Sequence, residues 1–161
     1  VLGWINELAF APVDLCGNAM QDEWSTDFGV GCKYFSQDAV IKLAPAAGIA
    51  LDENLSPAEK LKVVQALMEK DDPGAQAIFE TIGAYLAYTV VLYSQFYDIE
   101  HMMMLGRVMS GKGGDTILRV CNEILADEYP ALAKKCEVSL PDEKTRRVGQ
   151  SVAAASLPRI K

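Results

Sequence analysis

The segment HMMMLGRVMSGKGGDTIL, His101 to Leu118, decides the fold of this chain. It opens with the short apolar run Met102 to Leu105, whose length favours a strand buried on both faces over a helix. An amphipathic pattern typical of a helix begins at Asp115. Between the two, four glycines fall within nine residues: Gly106, Gly111, Gly113 and Gly114. The segment therefore predicts a strand, a glycine-rich loop and a helix.

A glycine-rich loop in this place is typical of a nucleotide-binding site. Glycine backbones adopt positive φ and approach a ligand closely, and the free N–H groups of the following helix point back at the loop. However, the spacing matches neither G-x-G-x-x-G nor a P-loop, and Lys112 lacks the Ser or Thr that follows a P-loop lysine. A plain connection that turns at its glycines is the alternative interpretation.

The segments on either side predict a helix-rich α/β domain. Strands that alternate with helices imply parallel pairing. Two strands make too small a sheet, so either the aromatic-rich residues before Tyr34 add strands or the rest of the sheet lies upstream of Val1. Those aromatic residues are expected to be largely buried, either in a binding loop or in a loop that caps the core. The predicted helices are Ser36–Leu43, Ser56–Met68, Pro73–Phe96, Asp115–Glu128 and Glu143–Leu157, and the second strand is Cys136–Leu140.

Composition restricts the classes of function. The 161 residues suit one domain, and the initial Val1 indicates a piece of a longer protein. A net charge of -7 argues against nucleic-acid binding. The uncharged run Thr81 to Tyr97 is shorter than the roughly 20 apolar residues that span a membrane, so we predict a core helix and no membrane association. Four cysteines without C-x-x-C spacing indicate reduced thiols in the cytoplasm, with zinc or a disulfide as alternatives.

Three stretches resemble the ROK family of repressors, open reading frames and sugar kinases. The stretch Asp72 to Leu118 is similar to the family's long helix, strand and adenosine-binding glycine loop, and Val138 to Ser156 resembles its closing strand and small-residue helix. NELAF, Asn6 to Phe10, stands where the family has Gly-Glu-x-Gly-His. The resemblance implies the C-terminal portion of an actin-like ATPase (ribonuclease H-like) domain. Residues 1–161 would then be a single domain, the C-terminal part of a longer two-domain protein.

The resemblance also implies a function. The full-length protein would be a glucokinase-like sugar kinase that uses ATP with Mg²⁺, acts on a hexose or amino-hexose and forms a homodimer. Catalytic residues are expected upstream of Val1, and none in this chain. Glu7 is the expected sugar-binding residue, with a surface glutamate as the alternative interpretation. The expected nucleotide-binding residues are Gly106, Ser110, Gly111, Gly113, Gly114 and Asp115.

Further expectations follow from the residues that match or depart from the family pattern. Phe10 and Asp14 replace zinc ligands, so we predict no zinc site. The family's second sugar-binding glutamate aligns with Tyr34 or, with another gap placement, with Glu23. Arg107 interrupts the family's glycines and favours the alternative function, the sugar-sensing domain of a repressor without catalysis. The carboxylate of Asp115 predicts contact with ribose hydroxyls rather than with phosphates.

Overall fold

The structure, a computed structural model, describes residues 9–141. The part described is rich in helices and contains one small parallel sheet, in agreement with the predicted α/β class. In chain order its elements are α1 (Gly31–Tyr34), α2 (Gln37–Leu43), α3 (Pro57–Glu69), α4 (Pro73–Tyr93), β1 (His101–Met103), a 3-10 turn (Arg107–Met109), α5 (Gly111–Glu128), α6 (Pro130–Lys135) and β2 (Glu137–Ser139). The predicted helix Glu143–Leu157 lies outside the described residues.

Helix α4 is the centre of the hydrophobic core, as its recurring apolar residues predict. It begins at the predicted Pro73, after Asp72 has capped its first turn by accepting from the Ala75 N–H. Its closest neighbour is α5, which crosses it at Gly83. A Cβ on Gly83 would lie 2.8 Å from the Ile117 carbonyl oxygen. The close approach of the two helices at this point therefore requires glycine.

Helix α4 also bears on the membrane prediction. Together with Ser94 it is long and apolar enough to cross a membrane, judged by length and composition alone. Half of its most apolar stretch is buried inside the structure. The absence of a membrane partner stays a prediction.

Helix α3 begins near the predicted position, at a capping box formed by Ser56 and Glu59. The Ser56 hydroxyl accepts from the Glu59 N–H, and the Glu59 carboxylate accepts from the Ser56 N–H at 2.8 Å. Leu61, Val64 and Met68 line its buried face. This face packs α3 against α2, α4 and the start of α5, so α3 lies beside the glycine-rich segment.

The two strands pair in parallel, as the alternation of helices and strands predicts. Met102 lies opposite Val138 in the register of β1 and β2. However, the prediction that the first strand is buried on both faces is wrong. Exposure alternates along it, and Met103 and Leu105 are 54% and 55% exposed. Met102 and Met104 pack against the core on one face of this stretch, and no described element covers the other face, which carries Met103 and Leu105.

The segment from residue 9 to residue 30 adds no strand in the part that the structure describes. It forms isolated antiparallel bridges, Pro12 with Val30 and Gln21 with Phe28. The expectation that its aromatic side chains are largely buried is wrong, because Trp24 is 82% and Phe28 61% exposed. Backbone hydrogen bonds within this segment form short turns, and these turns keep the Trp24 and Phe28 rings away from the core around α4.

Candidate functional site

The glycine-rich segment forms a tighter turn than predicted. The chain leaves β1 through Gly106, at φ 121°, makes the 3-10 turn and enters α5 at Gly111, at φ 66°. Helix α5 thus begins four residues before the predicted Asp115. Gly113 and Gly114 belong to the helix and are buried, so the prediction that places them in a loop is wrong. We name residues 106–110 the glycine turn.

Gly113 and Gly114 allow close packing rather than positive φ. A Cβ on Gly113 would lie 2.6 Å from the ring of Phe79, which is fully buried on α4. A Cβ on Gly114 would lie less than 3.0 Å from the carbonyl group of Met109. These two glycines therefore seat the start of α5 against α4 and against the glycine turn, and neither is available to a ligand.

Helix α3 holds the glycine turn in place through two side chains one helical turn apart. The Gln65 amide donates to the Arg107 carbonyl at 3.0 Å. The Glu69 carboxylate accepts from the Lys112 backbone N–H at 3.3 Å, at the N-terminus of α5. The Lys112 ammonium group in turn bonds Asp71 at 2.9 Å. The turn is thus anchored on the side of α3.

The Glu69 carboxylate decides what the α5 N-terminus can bind. Helix N-termini attract phosphates through their free N–H groups and positive dipole end. Here a carboxylate of the chain itself occupies that position and would repel a second anion. Asp115 lies in the second turn of α5 with an exposed side chain, so the negative charge at the helix end comes from Glu69 and not, as predicted, from Asp115. The residues fit a neutral nucleoside better than a phosphate.

The open side of the glycine turn offers space and apolar surface. No heavy atom lies within 4 Å of the position that a Cβ on Gly106 would take. Met103 and Leu105 are two residues apart in an extended stretch, so their side chains project to the same side. These two side chains therefore form an exposed apolar surface beside Gly106.

The predicted sugar-site residues do not form a described site. Glu7 lies outside the described residues. Glu23 is exposed and forms an ion pair with Lys33 at 2.7 Å, and that hydrogen bond holds the pKa of Glu23 below its usual range. Lys33 is buried, which opposes its charge, yet its hydrogen bonds to Asp38 and Glu23 raise its pKa. The Glu23 carboxylate is therefore already engaged by a cation.

Asp22 organises the turn that carries Trp24. Its carboxylate accepts from the Ser25 N–H at 2.7 Å and from the Trp24 N–H at 3.2 Å. The Ser25 N–H is the main cause of a lowered pKa of Asp22. A lowered folded-state pKa means that the carboxylate stabilises the fold above its unfolded pKa and loses this effect as the pH falls through the folded value.

We expect Asp22→Asn to lower the midpoint of thermal unfolding at pH 7. The difference in this midpoint between the variant and the unmodified chain should narrow as the pH falls below about 4, where carboxyl groups usually take up a proton. Asp27→Asn is the matched control, because Asp27 is exposed and its side chain makes no hydrogen bond in the described part of the chain. A difference that stays constant between pH 7 and pH 3 would contradict the role given to the Asp22 charge.

An aromatic cleft of about 320 Å³ lies between the N-terminal segment and the second half of α4. No sequence pattern singled it out. The only local signal is the exposed apolar series Tyr85, Tyr88 and Leu92, which recurs along one side of α4 at a spacing of three and four residues. The side chains that define this aromatic cleft are Asp14, Tyr34, Phe35, Tyr85, Tyr88 and Thr89.

A larger polar cleft, of about 580 Å³, lies at the amino ends of the two strands. Its walls come from the start of β1, the end of α6 and Asn122 of α5. The imidazole of His101 lies 3.4 Å from the Glu137 carboxylate, and both side chains are exposed. Ligands of parallel α/β folds bind at the carboxyl ends of the strands, where the glycine turn lies, so the polar cleft is the weaker candidate.

The four cysteines are free thiols, and no group of three or more His, Cys, Asp or Glu side chains in residues 9–141 is arranged to hold a metal ion. Burial, followed by the charge of Asp22, raises the pKa of Cys32 to about 11. A thiol with a raised pKa is a poor zinc ligand, because zinc binds the thiolate. The absence of zinc stays a prediction.

Comparison with family models, with curated proteins and with solved structures finds no match to this chain. The function is therefore inferred from the residues and from the geometry described above.

Proposed function

We propose that this chain is the adenosine-binding part, and a portion of the sugar-binding part, of a ROK-type ATP-dependent sugar kinase. The observation that carries the proposal is the glycine turn itself. It follows a parallel strand at its carboxyl end and leads directly into a helix, which is where α/β folds bind nucleotides. The resemblance of residues 72–118 to the family's helix, strand and glycine loop supports the same placement.

In this proposal the glycine turn receives the nucleoside and not the phosphates. Met103 and Leu105 provide an apolar surface for the purine, and Gly106 leaves room for it to approach the backbone. The Glu69 carboxylate at the α5 N-terminus excludes a phosphate from that end. ATP, when bound, supplies the phosphoryl group, and its triphosphate and Mg²⁺ would be held by residues beyond this turn.

Two observations favour the second candidate function, the sugar-sensing domain of a repressor. A carboxylate at the helix end and the exposed Arg107 in the glycine turn are both departures from a site that has to accommodate ATP. A sensor keeps the sugar site and dispenses with the nucleotide. The two functions differ in a measurable way, because only the kinase binds adenosine.

We expect Leu105→Glu to weaken adenosine binding to the full chain by about tenfold, because it removes apolar contact and adds charge beside the ring. Calorimetry with adenosine as the titrant measures the change. Leu15→Glu is the matched control, since Leu15 is exposed and distant in sequence from the glycine turn. Equal adenosine affinities of the two variants would contradict this site. Hexose binding without any adenosine binding would select the sensor.

A further inference from the structure

The aromatic cleft is distinct from the glycine turn and has no role in the proposed function. Its rings come from two regions of the chain, Tyr34 and Phe35 at the end of α1 and Tyr85 and Tyr88 on α4. The Tyr34 and Tyr85 rings meet edge to face, with centroids 6.2 Å apart. The Tyr88 hydroxyl is fixed by a hydrogen bond of 3.0 Å to Glu128. The rings are thus positioned by contacts with the chain before any ligand arrives.

The Asp14 carboxylate lies in the cleft beside these rings. One of its oxygens accepts from the Cys16 N–H at 2.9 Å, and the other accepts from the Tyr34 hydroxyl. The Tyr34 hydrogen bond is the main cause of the lowered pKa of Asp14, so the group is charged at neutral pH. No lysine or arginine in residues 9–141 forms an ion pair with Asp14. The Cys16 thiol also donates to Asp14, and the charge of Lys42 acts on it from a distance, so within the described residues the carboxylate is hydrogen-bonded but not neutralised by direct contact with a cation.

A second polar group in the cleft, the Thr89 hydroxyl, lacks a partner in the described part of the chain. Thr89 is only 6% exposed. Among the described residues, every fully buried side-chain nitrogen or oxygen has a hydrogen bond. The Thr89 oxygen has none among these residues, so it is not fully buried and must reach solvent. The cleft that Thr89 lines provides that access. A nine-tenths buried hydroxyl that opens into a cleft is available to a ligand.

We propose that the aromatic cleft is a binding site for a small organic cation, an ammonium group with an apolar body. The faces of Tyr34, Tyr85 and Tyr88 attract a cation through their quadrupoles, and Asp14 supplies the counter-charge. The Thr89 hydroxyl can bond a polar group on the ligand. The net charge of -7 on the chain favours approach of a cation and disfavours an anion.

A neutral sugar fits this site less well. A hexose carries five hydroxyl groups. In the aromatic cleft their partners would be Asp14, Thr89 and the tyrosine hydroxyls. The hydroxyls of Tyr34 and Tyr88 are already hydrogen-bonded to carboxylates. Hydroxyl groups left without partners in a buried site lose free energy. The proposal does not depend on the sugar-kinase function, because it uses neither the glycine turn nor Glu7 or Glu23.

The test compares two probes of equal shape. Choline carries a quaternary ammonium group, and 3,3-dimethylbutan-1-ol has carbon in place of the nitrogen and no charge. We expect calorimetry to show choline binding to the full chain at least about tenfold more tightly than the neutral probe. Equal affinities, or no saturable choline binding, would overturn the proposal.

Variants locate the site and separate its charge from its rings. Asp14→Asn keeps the size of the side chain and removes the charge, and it should weaken choline binding about tenfold. Asp27→Asn changes the net charge equally outside the cleft and should leave choline affinity unchanged. Tyr85→Leu removes a ring from an exposed helix face and should also weaken binding, with circular dichroism confirming that the variant folds. Choline affinity that survives both Asp14→Asn and Tyr85→Leu, or its displacement by glucose, would refute an organic-cation site here.

Discussion

A Gly114→Ala variant is expected to lose about 3 kcal/mol or more of its free energy of unfolding. The added Cβ would lie less than 3.0 Å from the carbonyl oxygen, the carbonyl carbon and the Cα of Met109. These are backbone atoms of the 3-10 turn, and Met109 itself is buried, so no side-chain rotation relieves the clash. Either the start of α5 or the whole glycine turn has to move.

Denaturant unfolding followed by circular dichroism measures this loss. Gly113→Ala is the informative comparison, because its added Cβ clashes with the Phe79 ring, which can shift. Adding Phe79→Leu to the Gly113→Ala chain should restore part of the stability. Gly17→Ala is the control, since nothing lies within 4 Å of its added Cβ. If Gly114→Ala unfolds at the same denaturant concentration as Gly17→Ala, the packing described for α5 is wrong.

Gly83→Ala tests the crossing of α4 and α5, where two effects oppose each other. Alanine in a helix interior is favoured over glycine by about 1 kcal/mol. Against this, the new Cβ would lie 2.8 Å from the Ile117 carbonyl oxygen and 2.8 Å from the Cβ of Val120. Because overpacking a core costs about 1 to 3 kcal/mol, we expect a net loss of stability despite the better helix propensity.

A double-mutant cycle separates the two contacts of Gly83. Val120→Ala introduced together with Gly83→Ala removes only one of the close contacts, the Val120 methyl group at 3.2 Å, and it should recover a small part of the loss, since the Val120 Cβ and the Ile117 carbonyl both remain in place. Denaturant unfolding of the four chains gives the coupling energy. A Gly83→Ala chain that is more stable than the unmodified chain would show that propensity outweighs the clash and that the helices are not in close contact there.

The elements that were predicted correctly are those whose signals are local. The Ser56 capping box and the proline at Pro73 mark the starts of α3 and α4, because a cap acts within one helical turn. The parallel pairing of β1 and β2 follows from the helices between them. The caps are determined by residues that are neighbours in sequence, and the pairing by the order of the elements along the chain, so the sequence pattern alone is sufficient.

The errors arise where the three-dimensional neighbour decides the outcome. A glycine in the sequence does not reveal whether it serves positive φ, as at Gly106, or close packing, as at Gly113 and Gly114. Burial of β1 depends on what covers its second face. Glu69 carries no sequence signal for its place at the α5 N-terminus, because 43 residues separate it from Lys112.

The aromatic cleft could not be predicted for the same reason. Asp14, Tyr34 and Tyr85 belong to separate stretches, and each one alone resembles an ordinary loop or helix residue. The aromatic content of the N-terminal segment was recognised, but the exposed Trp24 and Phe28 contribute nothing to the cleft. Only the packing of that segment against α4 brings the carboxylate and the rings together.

The most direct test of the proposed function is an amide NMR titration of the full chain with adenosine. The account predicts saturable chemical-shift changes centred on residues 103–110, with ATP binding no more tightly than adenosine because of the Glu69 carboxylate. Amides around Asp14 and Tyr34 should not respond. An absence of shifts at saturating adenosine, or shifts confined to the aromatic cleft, would contradict a nucleoside site at the glycine turn.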